Sequence, residues 1–413
     1  MKKQATDKEK FIWNMLGSIS NAFSTLILSI SVNRILGGES GGIFSFAYSN
    51  AQLMLTIGGF EVRPYQSTDI ENKYSFNSYF TFRLLSCLLM VIVSVIYILA
   101  GDFNKEKSIV LLMLVLFKMV EAFTDVFAGR FQQRDRIDIS GKLFFIRVVM
   151  STAIFIIIVL LSGSLIMASA GMFIMSLALF FINDSRYIFE DDRKNISIEK
   201  GSILNIFKDV FPLFIGAFVM MYISNAPKYA INNIYGDNMQ NIYNILFMPA
   251  FVINLFSMFI FRPMLVSMTI DWNNRNLVKL WKSIFKMNGI ILGFTAVTLA
   301  ATWFLGIPVL SFMYNINLSS YREELMLVML SGGISALMTF SYYIITIMRQ
   351  QKLLVIGYGM ALVYAYISSG ILVDKFGIKG AVFTYGTAVA LLFVVYVIII
   401  IYTNIKKGKG NDE

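Results

Sequence analysis

The sequence predicts an all-α integral membrane protein, with about 12 transmembrane helices in two pseudo-repeated six-helix lobes around a central cavity. Three observations lead there. Hydrophobic residues make up 57% of the 413 and charged residues only 15%, where a soluble domain carries about 25% charged. Apolar runs of about 20 residues, the length needed to cross a hydrocarbon core, recur twelve times along the chain. One long polar stretch (NDSRYIFEDDRKNISIEK) divides those runs six and six.

In order, the runs lie near 11–32, 42–60, 79–100, 108–128, 143–162, 164–183, 208–227, 243–262, 284–305, 325–348, 353–373 and 380–403. The stretch 143–183 is split at Ser162, Gly163 and Ser164, its one turn signal. The expected division is an N-terminal lobe at 1–183, a cytoplasmic linker at 184–207, and a C-terminal lobe at 208–413 ending in a short basic tail.

Charge sets the orientation. With the N-terminus inside, 25 of the 35 Lys and Arg fall in inner segments, 7 in outer ones, and Arg83, Lys118 and Arg147 within spans. That asymmetry predicts a multi-pass protein with both termini cytoplasmic. The net charge of +10 is then an orientation signal and a contact with anionic membrane lipids, with no nucleic-acid partner implied.

Absences exclude other classes. The chain has no His and a single Cys, Cys87, so His-ligated metals, Cys-clustered zinc and His general bases drop out. No metal site, catalytic residue or cofactor is expected, and no phosphate-binding loop of the G-x-x-x-x-G-K-[ST] type occurs. The apolar run after Lys10 is too long for a removable signal peptide and lacks an A-x-A site.

Three echoes suggest an internal repeat. Arg63-Pro64 and Arg262-Pro263 end spans two and eight, Arg34 and Lys228 lie toward the outer ends of spans one and seven, and RFQQR (130–134) and RQQK (349–352) follow spans four and ten. Transporters place substrate sites between such repeats.

Several intramembrane groups need an explanation. Lys118, Glu121 and Asp125 share one face of span four at i, i+3, i+7. A charge there costs at least about 2.5–3.5 kcal/mol, so it should face a partner or a cavity. Lys118 can pair with Glu121, which leaves Asp125 unbalanced and open to a coupling proton or sodium ion. A purely structural pair is the competing reading. Arg63 and Arg262 are guanidinium forks suited to a diphosphate, or else plain anchors. Arg34 and Lys228 sit where the positive-inside rule disfavours them, which favours a role. Asn14, Ser18, Asn21 and Thr25 form a polar stripe that lines a pore or packs on a neighbouring helix. Arg83 and Arg147, one turn into their spans, are expected to snorkel to the surface. Pro227 is expected to interrupt span seven.

The stretches NRILGGESGGIFSFA (33–47), RPYQSTDIENKYSFNSYFTFR (63–83), GRFQQRDRIDISGK (129–142), RQQK and NAPKYAINNIYGDNMQNIYNILFMPAFVINLFSMFIFRP (225–263) together resemble the polysaccharide repeat-unit flippases. These are the Wzx-type transporters of O-antigen, capsule and teichoic-acid assembly, within the multidrug/oligosaccharidyl-lipid/polysaccharide exporter superfamily. The likeness runs over nearly the whole chain. It implies a bacterial cell (inner) membrane location and a polyprenyl-pyrophosphate oligosaccharide moved from the inner to the outer leaflet. It implies working partners among polysaccharide polymerases and glycosyltransferases. It also implies that Arg34, Arg63, Lys228 and Arg262 hold the diphosphate.

Two alternatives stay open at this level. A cation-coupled multidrug exporter of the same architecture would need an acid-rich cavity. A membrane-embedded glycosyltransferase or polymerase would need a large extramembrane loop, and the outer segments are short.

Overall fold

A computed structural model of the chain describes residues 5–69, 73–183, 201–261 and 264–409. The sequence's Arg262 lies outside the described residues, as does the polar stretch 184–200. Among the described residues the structure is helical with no strand, as a backbone immersed in lipid requires.

The first half runs α1 (Asp7–Leu36), α2 (Gly38–Gly59), α3 (Val62–Thr68), α4 (Phe76–Ala100), α5 (Lys105–Gln133), α6 (Ile137–Ser162) and α7 (Leu165–Ile182). Polar side chains start these helices by accepting from orphan backbone N–H groups. Thr6 and Glu9 form a reciprocal capping box, and Ser75, Asn104 and Ser164 cap α4, α5 and α7. The second half begins with the helix Ser202–Phe261, broken at Gly236 into α8 (202–235) and α9 (237–261). It continues with α10 (Leu265–Asn273), α11 (Leu277–Tyr314) and α12 (Arg322–Ile347). Last comes the helix Gln351–Lys409, broken at Gly377 into α13 (351–376) and α14 (378–409).

Among the described residues each half thus shows six long helices and one short one, in the same order. The backbone repeats at finer scale. Gly37 (φ 88°, ψ 176°) and Gly236 (φ 80°, ψ −175°) turn the chain between the first two helices of each half, in a region open to glycine alone. Their offset of 199 is that of the two Arg-Pro pairs. Further on, Asp135 and Arg349 share φ 56° at the end of α5 and α12. Both sites carry the same 6→1 hydrogen bond, Arg136 N to Phe131 O at 2.8 Å and Gln350 N to Ile345 O at 3.1 Å, the Schellman stop. At the 199 offset Lys228 matches Ser29, so Arg34 and Lys228 are not equivalent positions. Pro227 sits within continuous helix. The interruption expected there falls at Gly236, where only a glycine reaches the required φ.

Contacts divide the chain into two compact units, 1–221 and 222–413. In the first, α1 and α6 cross closely. A Cβ on Gly141 would stand 2.5 Å from the Trp13 carbonyl carbon, and one on Gly17 would stand 3.1 Å from Gly141 O. Without a hydrophobic drive between helices in lipid, such small-residue contacts supply the packing. Residues 202–221 also belong to this unit. Ile206 and Val210 join a core with Phe60, Val62, Tyr79, Phe82 and Phe131, and Phe214 stacks on Phe60 at 4.1 Å. One carboxylate ties this segment down. Asp209 accepts from Tyr65 Oη at 2.7 Å, Tyr74 Oη at 2.9 Å and Lys73 Nζ at 2.8 Å. The bond to Asp209, with the two phenols, holds the Lys73 ammonium above its ordinary range.

In the second unit α9 lies against α12, where Gly332 meets Ala250. Asn254 donates to Ser335 at 3.3 Å and Thr339 at 3.4 Å. Large apolar side chains stay open on helix exteriors, Leu161 at 83% and Phe304 at 73%, as lipid-facing residues do.

Gly141→Ala should overpack the α1–α6 crossing by about 1–3 kcal/mol, read as a lower melting temperature of the purified protein. Asp209→Ala strands three donors, and its melting temperature should fall, while Asp135→Asn, which keeps a side chain suited to φ 56° and removes only the pair with Lys10, should change it far less.

A candidate transport site in the first unit

The break between α2 and α3 builds the site. Two consecutive non-glycine residues, Phe60 (φ 45°, ψ 26°) and Glu61 (φ 52°, ψ 25°), adopt the left-handed conformation. Each costs roughly 1–2 kcal/mol. The aromatic packing of Phe60 against Phe214 and Phe82 compensates. The break leaves the last carbonyls of α2 without intrahelical partners. Arg83 of α4 fills that need. Its side chain is 0% exposed, and Nη1 donates to Gly58 O at 2.7 Å and Gly59 O at 2.5 Å. Ser86 Oγ adds a second donor to Gly58 O.

The other terminal guanidinium nitrogen, Arg83 Nη2, lies 3.3 Å from Asp125 Oδ2. Arg63 Nη1 lies 3.0 Å from Asp125 Oδ1. Asp125 is therefore clasped by two arginines, one fully buried and one 34% exposed. Lys118 pairs with Glu121 at 2.8 Å, under cation–π contact with Tyr48 at 5.1 Å and Phe117 at 5.3 Å. Thr25 Oγ1 hydrogen-bonds Tyr48 Oη at 3.0 Å. Arg147 is buried and donates to Thr124 Oγ1.

Some of these groups line a cavity of about 390 Å³. Its charged lining is Arg63, Arg147, Glu61, Glu121 and Asp125, with Gln52, Thr56 and Thr124 among the polar neighbours. Glu61 makes no ion pair among the described residues. Its burial, with the nearby Asp125 charge, raises its carboxyl above the ordinary range, while Arg83 opposes the shift.

The predicted residues divide as follows. Asn14 and Ser18 line the cavity. Thr25 of the same stripe bonds Tyr48, and Asn21 O accepts from Ser24 Oγ. Asp125 is not unbalanced, because Arg63 and Arg83 both reach it. Arg83 and Arg147 do not snorkel. Both turn inward, toward backbone and side-chain acceptors that lipid could not offer. Arg34 is exposed in the last turn of α1. Between it and Arg63 stands α2, 22 residues or about 33 Å long, so the two cannot grip one diphosphate at once. Lys228 belongs to the second unit, 7% exposed, with Nζ 5.4 Å from the Phe247 ring centroid.

Sequence reasoning missed Glu61. The signal was present as an acid directly after the apolar run that ends in Gly58, Gly59 and Phe60, two residues before Arg63. It also missed that Arg83 and Asp125 belong together, since 42 residues separate them.

Comparison with known proteins adds the following. The family model described as polysaccharide biosynthesis protein matches residues 8–268. None of the curated proteins compared with it matches. Among solved structures, an inward-facing multidrug resistance MATE family transporter of the MOP superfamily superposes with TM-score 0.67 at 12% identity, over 95% of this chain and 94% of that one. A eukaryotic MATE transporter gives 0.60 at 13%, covering 97% of each chain. A mutant of the Vibrio cholerae MATE transporter VcmN gives 0.59 at 11%, over 98% and 97%. At such identities the likeness is one of fold.

Arg83→Leu should leave Asp125 with Arg63 alone and Gly59 O without its buried donor, costing about 1–3 kcal/mol. Folded yield in detergent should fall, whereas Arg34→Leu leaves it intact.

Proposed function

From the premise that this chain belongs to the polysaccharide biosynthesis protein family, we propose that it is a flippase. It carries a polyprenyl-pyrophosphate-linked oligosaccharide repeat unit from the inner to the outer leaflet by alternating access, for cell-surface polysaccharide assembly. The observation that carries this reading is Arg63, a partly exposed guanidinium in a polar cavity at a helix end, backed by the buried cations Arg83, Arg147 and Lys118. A diphosphate head group cannot cross lipid unaided, while a polyprenyl tail can remain there. The protein need only offer a cationic, hydrated passage.

In this reading Arg63 receives the diphosphate at the cytoplasmic side, and Arg262, its counterpart in the sequence repeat, is proposed for the same contact in the second lobe. Arg34, about 33 Å away along α2, serves its departure, and Lys228 adds charge in the second lobe. A phosphate contact there gains strength from the low dielectric. Both termini lie in the cytoplasm of a bacterial cell, and polymerases and glycosyltransferases act before and after the transfer.

Coupling to a proton or sodium gradient falls to the carboxylates of the cavity. Glu121 is paired with Lys118 and Asp125 with two arginines. Glu61, facing Asp125, Glu121, Arg63, Arg83 and Arg147, is the carboxylate best placed to gain and lose a cation. Its raised carboxyl makes proton uptake easier than at an ordinary Glu.

The same carboxylates give one observation in favour of a second reading, a cation-coupled drug exporter. A sidedness assay separates the two. With labelled polyprenyl-pyrophosphate oligosaccharide in one leaflet of a liposome, the wild type should move label to the other, and Arg63→Ala should slow it at least about tenfold, the scale of a lost charged contact. Efflux of a cationic dye with no lipid translocation would overturn the flippase reading. Glu61→Gln should leave downhill flipping intact and abolish its acceleration by an imposed ion gradient. Unchanged acceleration would remove Glu61 from the coupling role.

A further inference from the structure

The Arg63–Asp125 pair sets a puzzle for any diphosphate site, because the exposed guanidinium is already occupied. The two arginines on Asp125 are not equivalent. Arg83 is fully buried, and two backbone carbonyls hold its Nη1. Its bond to Asp125 is anchored in the α2–α3 break. Arg63 is one-third exposed, rides on the seven-residue α3, and touches Asp125 through one nitrogen at 3.0 Å. A guanidinium fork offers two parallel donors to an oxyanion, so this contact uses only part of what Arg63 can give.

We propose that Asp125 is a stand-in for phosphate. It occupies Arg63 while the site is empty, the incoming diphosphate displaces it, and Arg83 keeps its charge compensated after Arg63 is surrendered. The proposal rests on the diphosphate reading above. Its chemistry is competition between two oxyanions for one cation, with no bond made or broken. A diphosphate brings more negative charge than one carboxylate, and it can engage both arms of the fork. Without Asp125, Arg63 and Arg83 would face each other uncompensated in the empty protein. Without Arg83, the displaced carboxylate would be left near Glu61, Glu121 and the phosphates. With both present, the swap leaves Asp125 and Arg63 each with a partner of opposite charge. Lys118 stays with Glu121, and Arg147 stays with Thr124.

The test is binding of inorganic pyrophosphate to the purified full chain by calorimetry, for wild type, Asp125→Asn and Arg63→Ala. The expected result is about tenfold tighter binding by Asp125→Asn, because the competitor is gone, and at least about tenfold weaker binding by Arg63→Ala, each factor being about 1.4 kcal/mol. Asp125→Ser supplies the same comparison should the Asn variant fail to elute as a folded species. If Arg63→Ala weakens binding but both Asp125 variants bind as the wild type does or more weakly, the stand-in is wrong and the diphosphate site survives. If the wild type binds no pyrophosphate, or binds it as Arg63→Ala does, the diphosphate reading of Arg63 falls and takes this proposal with it.

Discussion

The clasp of Asp125 between Arg63 and Arg83 is the interaction on which the first unit depends. It joins three helices through charge at the wall of the cavity. A buried guanidinium needs acceptors, and Arg83 finds them in Asp125 and in the carbonyls at the open end of α2, which it closes. The break at Phe60 and Glu61 is possible because that end is closed. In turn the break turns Glu61 and Arg63 toward the cavity. Fold and site are here one arrangement of hydrogen bonds.

The second half repeats the frame without the charge. At the 214 offset shared by Asp135 and Arg349, the positions of Lys118, Glu121 and Asp125 fall on Gly332, Ser335 and Thr339. There Asn254 bonds Ser335 and Thr339, a neutral version of the seam. Matching glycine turns at Gly37 and Gly236 and matching Schellman stops keep the backbone the same. A duplicated scaffold has thus kept its turns, which only particular backbone conformations permit, and varied the side chains that face inward.

Segment 202–221 shows how a helix of the second half becomes part of the first unit. Its apolar residues Ile206 and Val210 enter the core around Phe60, and Asp209 collects two phenols and an ammonium. The helix continues without a break to Gly236. The left-handed pair at Phe60 therefore leans on a segment more than 140 residues away in sequence, through ring stacking at 4.1 Å.

Much of this was legible in the residues alone. Each of the twelve apolar runs falls on a long helix among the described residues, because lipid forces each run to satisfy its own backbone. The offset of the Arg-Pro pairs marked the repeat, and the i, i+3, i+7 spacing put Lys118, Glu121 and Asp125 on one face, since helix geometry is local. Partnership was not local. Asp125 read as unbalanced, and Arg83 and Arg147 as surface-seeking, because nothing in a linear string says that positions 63, 83 and 125 meet. Pro227 read as the interruption because proline is the usual breaker, whereas the chain turned at Gly236, where a hairpin demanded a positive φ. Composition and periodicity determined the membrane, the helices and their doubling. Which charge answers which was decided only when packing brought side chains of distant helices to 3.0 and 3.3 Å of one another.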